Sequence, residues 1–94
     1  MSTTIERLAA VIADRQAHPR PGSYTCQLLA GGTALAARKV GEEAVEAVVA
    51  ALAEDDARLT EEAADLVYHL LVLLASRGLG WADVARELEK RAQA

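Results

Sequence analysis

Lys39-Val40-Gly41-Glu42-Glu43-Ala44-Val45-Glu46-Ala47-Val48-Val49-Ala50-Ala51-Leu52 is the stretch that decides the fold. Its apolar residues recur at three- and four-residue intervals, so the period is that of a helix, not a strand. With Glu42 at 0° and about 100° per residue, Glu46 falls near ~40°, Lys39 near ~60° and Glu43 near ~100°. Val45, Val48, Val49 and Leu52 fall on the other side, between about 240° and 340°. The stretch is therefore two-faced, with three glutamates and a lysine in one stripe and the expected core face opposite. Gly41 lies inside the apolar stripe. A mid-helix glycine costs about 1 kcal/mol against alanine, so close approach of a second helix is its expected reason.

Outward from this stretch the pattern stays helical. Residues 33–52 read as one long helix, and residues 54–57, Glu-Asp-Asp-Ala, as the turn that follows. Thr60 is the expected N-cap of the next helix, with Glu61 and Glu62 at the positive end of its dipole. That helix runs to Arg77, and Gly78 stands where a terminating glycine belongs. On it, Glu62, Asp65 and His69 fall within about 60° of one another, away from Leu66, Leu70, Leu73 and Leu74. Towards the N-terminus, Thr3-x-x-Glu6 forms a capping box, and Ile5, Leu8, Ala9 and Ile12 give that helix an apolar stripe. The segment 18–22, His-Pro-Arg-Pro-Gly, stops it. Ser23 suits the N-cap of a short helix of about two turns, ending near Gly31-Gly32. Trp81, Val84, Ala85 and Leu88 are the stripe of a last helix, in which Trp81 is a core anchor. No segment alternates with period two. The fold class is all-α, with the two long helices as an antiparallel hairpin.

The chain of 94 residues reads as a single domain, 1–94. Its hydrophobic share is 52%, but there is no Phe and much of the total is alanine. Small side chains bury little area, so a homodimer is expected, the more so because the leucines at 70–74 outnumber what one hairpin partner can cover. A net charge of −4 argues against a nucleic-acid or membrane-surface binder, but not against a nucleotide held through a cation. A lone cysteine, Cys26, excludes an internal disulfide, fits a reducing cytoplasm and carries no nucleophile signature. The first residues lack the pattern of a signal peptide, and the apolar runs are too short to span a bilayer.

Between packed helices, the carboxylates of Glu42, Glu43, Glu46, Glu62 and Asp65 would repel one another unless a cation lay among them. Oxygen-only ligands select Mg²⁺ or Mn²⁺ over Zn²⁺. The alternative is that the same residues are solvated faces of an acidic protein. Glu-x-x-His pairs, which a di-iron bundle needs, are absent, as is a P-loop.

Glu42-Glu43-x-x-Glu46 followed by Glu62-x-x-Asp65 resembles the signature of the all-α NTP pyrophosphohydrolase superfamily. Ser23-Tyr24-Thr25, Lys39-Val40-Gly41-Glu42-Glu43-Ala44-x-Glu46, Glu62-x-x-Asp65-Leu66-x-Tyr68-His69-Leu70-Leu71 and Val84-x-x-x-Leu88-x-x-Arg91 together resemble, more narrowly, the phosphoribosyl-ATP pyrophosphohydrolase family of histidine biosynthesis. The likeness runs without gaps over about residues 5–91, and only Ala34-Leu35-Ala36-Ala37 is poorer in bulky side chains than the family pattern. It implies a dimeric helical bundle that hydrolyses the α–β phosphoanhydride of phosphoribosyl-ATP, with Mg²⁺ as cofactor and Mn²⁺ as a substitute. Glu42, Glu43, Glu46, Glu62 and Asp65 are then the metal ligands. Glu43, Glu46 and Lys39 are the catalytic set, one carboxylate outside the metal shell acting as base. Arg20, Ser23, Tyr24, Thr25 and Lys39 are substrate contacts, and Arg38 a further phosphate contact.

Each role has a plainer reading. Lys39 at i, i+4 from Glu43 can be an ion pair, Ser23 a simple cap, and Arg20 and Arg38 solvated surface. Glu61 reads as a dipole partner, His69 as a support for Asp65, and Tyr68 as core or interface. Some relatives carry the next enzyme of the pathway as a fused domain; here none is expected. Two other functions fit the sequence: a housecleaning hydrolase of the same superfamily acting on non-standard nucleotides, and a non-enzymatic helical dimerisation module.

Overall fold

The computed structural model describes residues 3–92; Met1 and Ser2, on which the N-terminal reading partly rests, and the last two residues lie outside it. It is all-α, with five helices among the described residues: α1 (Thr4–Ala17), α2 (Tyr24–Ala30), α3 (Gly32–Ala53), α4 (Asp56–Ser76) and α5 (Trp81–Ala92).

Local chemistry sets most boundaries. The Thr3 hydroxyl accepts from the Glu6 N–H at 3.1 Å while the Thr3 N–H donates to Glu6 Oε2, completing the capping box of α1. The Ser23 hydroxyl accepts from the Cys26 N–H at 3.2 Å and starts α2. A corner of two glycines joins α2 to α3. A Cβ on Gly31 would lie 2.2 Å from the Leu35 side chain, and Gly32 has φ +74°, so neither position tolerates a larger residue without rearrangement. At the end of α4, Gly78 has φ +73°, its N–H donates to Ala75, and the Leu79 N–H donates to Leu74 at 2.9 Å. This is the Schellman closure expected of that glycine.

The start of α4 differs from the expectation. Its N-cap is Asp55, whose carboxylate accepts from the Arg58 N–H at 2.9 Å. Thr60 is one turn inside the helix, donating its hydroxyl to the Asp56 carbonyl at 2.8 Å. The turn thus shrinks to Glu54 and Asp55, and Arg58 becomes helical.

α3 and α4 form the hairpin, and α1 and α2 lie across α4. Ile12 from α1, Leu28 from α2, Ala36 from α3 and Leu71 and Val72 from α4 make the buried core, with Tyr68 and Trp81 packed at its edge. Gln16 donates to the Ala75 carbonyl at 3.0 Å, and Thr33 and Ser76 share a hydroxyl bond, so α1 and α3 are both pinned near the end of α4. α5 touches α1 and buries no residue fully.

The expected core face of α3 points outward. Val45, Val48 and Val49 are half or more exposed and Leu52 is 83% exposed, whereas the buried residues of α3 are Ala36, Glu43 and Ala50. Alanines, not valines, meet α4, because they let the two helices close together. Gly41 is exposed, and a Cβ there would meet nothing within 4 Å, so it marks no close approach in this chain. The surplus apolar surface also sits elsewhere than expected: α1 and α2 cover the α4 leucines, and α3 carries the uncovered stripe.

Candidate metal centre

Of the acidic stripe of α3, Glu43 faces into the hairpin, while Glu42 and Glu46 are exposed at its edge. Glu43 is 8% exposed and Glu62, opposite it on α4, is 6% exposed. Glu43, Glu62 and the exposed Asp65 each bring one carboxylate oxygen within 4.8 Å of the others. Glu43 Oε2 and Glu62 Oε2 are buried without any hydrogen-bond partner. Two orphaned acceptors of like charge inside one helix pair are unfavourable unless a cation joins them. Burial pushes the Glu62 carboxyl above the ordinary carboxylate range. The neighbouring carboxylates of Glu46 and Asp65 push the same way, and Arg58 pulls against them.

The donor set consists of oxygens alone, two of them buried and unsatisfied. It fits a hard divalent ion such as Mg²⁺ or Mn²⁺ and offers nothing for a thiophilic one. Among the five expected ligands, the structure brings Glu43, Glu62 and Asp65 together, with Glu46 against Glu62. Glu42 is turned outward, its Oε1 lying 3.7 Å from Lys39 Nζ and 3.9 Å from Arg38 Nε. Lys39 thus pairs at i, i+3 with Glu42 instead of at i, i+4 with Glu43. A cleft of about 590 Å³ lies along this edge, lined by Arg38, Lys39, Glu42, Glu43 and Glu46.

The segment Ser23-Tyr24-Thr25 is tied to α4 one turn beyond Asp65. His69, 5% exposed, places Nδ1 at 2.7 Å from the Asp65 carbonyl, to which it must donate. Nε2 is then an acceptor, and the Tyr24 hydroxyl donates to it at 3.0 Å. The Thr25 and Tyr68 hydroxyls are bonded to each other, and the Tyr24 and Tyr68 rings stack at 6.2 Å. His69 therefore supports the backbone of Asp65, not its carboxylate. Ser23, Tyr24 and Thr25 all have protein partners, while Tyr24 as a residue stays 47% exposed. Arg20 is exposed, and its N–H donates to Cys26 Sγ at 3.4 Å, which holds the proline-flanked loop against α2.

One participant escapes the sequence reading. Arg58 spans Glu61 Oε2 at 2.7 Å and Glu62 Oε1 at 2.6 Å. Its i, i+4 spacing to Glu62 is a legible signal, hidden when α4 is begun at Thr60.

The phosphoribosyl-ATP pyrophosphohydrolase family model matches residues 5–92, which takes in all of these side chains. The chain belongs to this family. It is 60% identical over 87 residues to a phosphoribosyl-ATP pyrophosphatase of Pyrobaculum calidifontis, covering 93% of each chain. It is 53% identical over 92 residues to that of Sphingopyxis alaskensis, covering 97% of this chain and 84% of the relative. The enzyme of Ignicoccus hospitalis is 48% identical over 94 residues, covering all of this chain and 92% of the relative.

Proposed function

We propose that this chain hydrolyses phosphoribosyl-ATP to phosphoribosyl-AMP and pyrophosphate, the second step of histidine biosynthesis, with Mg²⁺ or Mn²⁺ as cofactor. The observation that carries this reading is the pair of orphaned, buried oxygens on Glu43 and Glu62, in a chain of this family. Glu43, Glu62 and Asp65 would hold the ion, with Glu46 and Glu42 at its margin. Once bound, such an ion neutralises charge on phosphate oxygens and acidifies water.

The remaining work falls to the side chains. A water oxygen adds to one phosphorus of the α–β anhydride and the bridging P–O bond breaks, giving phosphoribosyl-AMP and pyrophosphate. The proton lost by the water passes to a carboxylate outside the metal shell. Glu46 is the candidate, being exposed beside Glu62. Lys39, half-buried in the cleft wall, exchanges Glu42 for a phosphate oxygen. Arg20, exposed and in no ion pair among the described residues, would meet the second ribose phosphate, the group that separates this substrate from ATP. Tyr24 and Thr25 act by fixing the loop beside it, since their hydroxyls are already engaged.

A second copy of the chain is proposed to cover Val45, Val48, Val49 and Leu52, giving a homodimer; their exposure on the helix that carries the carboxylates supports it. The same reading puts the chain in the cytoplasm, which a free Cys26 suits. Among the described residues no single helix is long and apolar enough to cross a membrane.

The test is pyrophosphate release from phosphoribosyl-ATP and from ATP, with and without Mg²⁺. The native chain should strongly prefer phosphoribosyl-ATP, and Ser23→Ala or Arg20→Ala should reduce that preference. Equal rates on both substrates would leave a housecleaning hydrolase. No turnover of either would leave a dimerisation module.

A further inference from the structure

Most of the other i, i+3 and i, i+4 ion pairs among the described residues join exposed groups, and none but those of Arg58 reaches a buried carboxylate. Lys90–Glu87 at 3.7 Å and Arg91–Glu87 at 3.5 Å are of this kind. Arg58 is different. One of its partners is half-exposed Glu61, but the other, Glu62, keeps only 7% of its side-chain surface. The guanidinium is planar, and its two terminal nitrogens hold the two carboxylates at 2.7 and 2.6 Å, a grip that a lysine cannot reproduce. Arg58 takes Oε1 of Glu62, and Oε2 is the oxygen left buried without a partner. Glu62 is thus anchored through one oxygen with the other free. It could not rotate to offer both oxygens without breaking the bond to Arg58.

We propose that Arg58 is a positioning residue of the metal centre, which fixes Glu62 as a single-oxygen ligand and is itself braced by Glu61. This rests on the metal-dependent reading above. Partners that orient a ligand from behind commonly change metal affinity by about 10–100-fold when removed. A solvated ion pair would change it little.

The measurement is Mn²⁺ binding to the full chain by calorimetry, with the Mn²⁺ paramagnetic resonance spectrum as a second readout. Arg58→Gln should bind Mn²⁺ about 10-fold or more weakly and show an altered spectrum. Arg58→Lys keeps the charge without the fork and should fall between. Glu61→Gln should weaken binding by a smaller factor. Turnover of Arg58→Gln should need more Mg²⁺ for half-maximal rate, with KM for phosphoribosyl-ATP unchanged at saturating Mg²⁺. If Arg58→Gln does not fold, Arg58→Lys decides alone. Native affinity in the variants, or tighter binding, would overturn the proposal while leaving the metal centre intact. A native chain that binds no Mn²⁺ would overturn both.

Discussion

Glu43→Gln should stabilise the metal-free protein and at the same time abolish its function. The ligand oxygens of Glu43 and Asp65 lie within 4.8 Å. At an effective dielectric of about 20, two unit charges at that separation repel by roughly 3.5 kcal/mol. Asp65 is exposed, and solvent screening cuts this by half or more, leaving about 1–2 kcal/mol. The change also turns an orphaned acceptor into an amide able to donate to the orphaned Glu62 Oε2. For a domain of this size 1 kcal/mol moves Tm by about 4–8 °C, so the metal-free variant should melt roughly 5–15 °C above the native chain. A cation reverses the order. At 100 times its Kd it adds about 2.7 kcal/mol to the native chain and little to a variant lacking a ligand. The assay is calorimetric melting in chelator and then in Mn²⁺ or Mg²⁺, with pyrophosphate release in parallel. A metal-free variant melting at or below the native chain would refute the claim that the buried carboxylates oppose the fold until an ion joins them.

Three further outcomes follow from particular contacts. Val48→Asp should convert a dimer of twice 10.0 kDa into a monomer by sedimentation, because Val48 lies in the uncovered stripe; a native chain already monomeric at micromolar concentration would remove that stripe's explanation. Asp55→Ala should cost about 1 kcal/mol, as loss of an N-cap does, while Thr60→Ala is neutral or slightly stabilising by melting. Because the folded-state Glu62 carboxyl titrates above its unfolded value, the native fold binds that proton more tightly; this group therefore lowers metal-free stability as pH rises out of the ordinary carboxylate range. Denaturant titrations in chelator should show the gap between Glu62→Gln and native widening over that rise, and a constant gap would contradict the burial argument.

What the sequence made legible was whatever a few neighbouring residues decide. Thr3 with Glu6, Ser23, and Gly78 each close a helix end through groups within five positions, and α1, α2 and the end of α4 stand where their spacing put them. The start of α4 was not decided locally: Asp55 and Thr60 are both competent caps, and the packing of the hairpin settles which is used. The helical wheel placed the valines of α3 opposite Glu43 but misassigned the inward face, which is Ala36, Glu43 and Ala50, with Glu42 and Glu46 left exposed. Hydrophobicity favours the valines, yet alanines allow the close approach that encloses Glu43 and Glu62. The site's carboxylates were visible as a stripe on each long helix. Their supports were not, since Tyr24 meets His69 and Thr25 meets Tyr68 across more than forty residues of chain.

α3 carries its carboxylates and its exposed valines interleaved within the same three turns. Each residue inserted into or deleted from a helix rotates everything beyond it by about 100° relative to what precedes it. One added residue between Glu46 and Val48 would leave the acids facing α4 and swing Val48, Val49 and Leu52 away from any surface shaped to receive them. The length of this helix is therefore constrained twice over, by two surfaces that must keep a fixed angle. Changes of length belong instead to the turn around Leu79, which lies outside both surfaces.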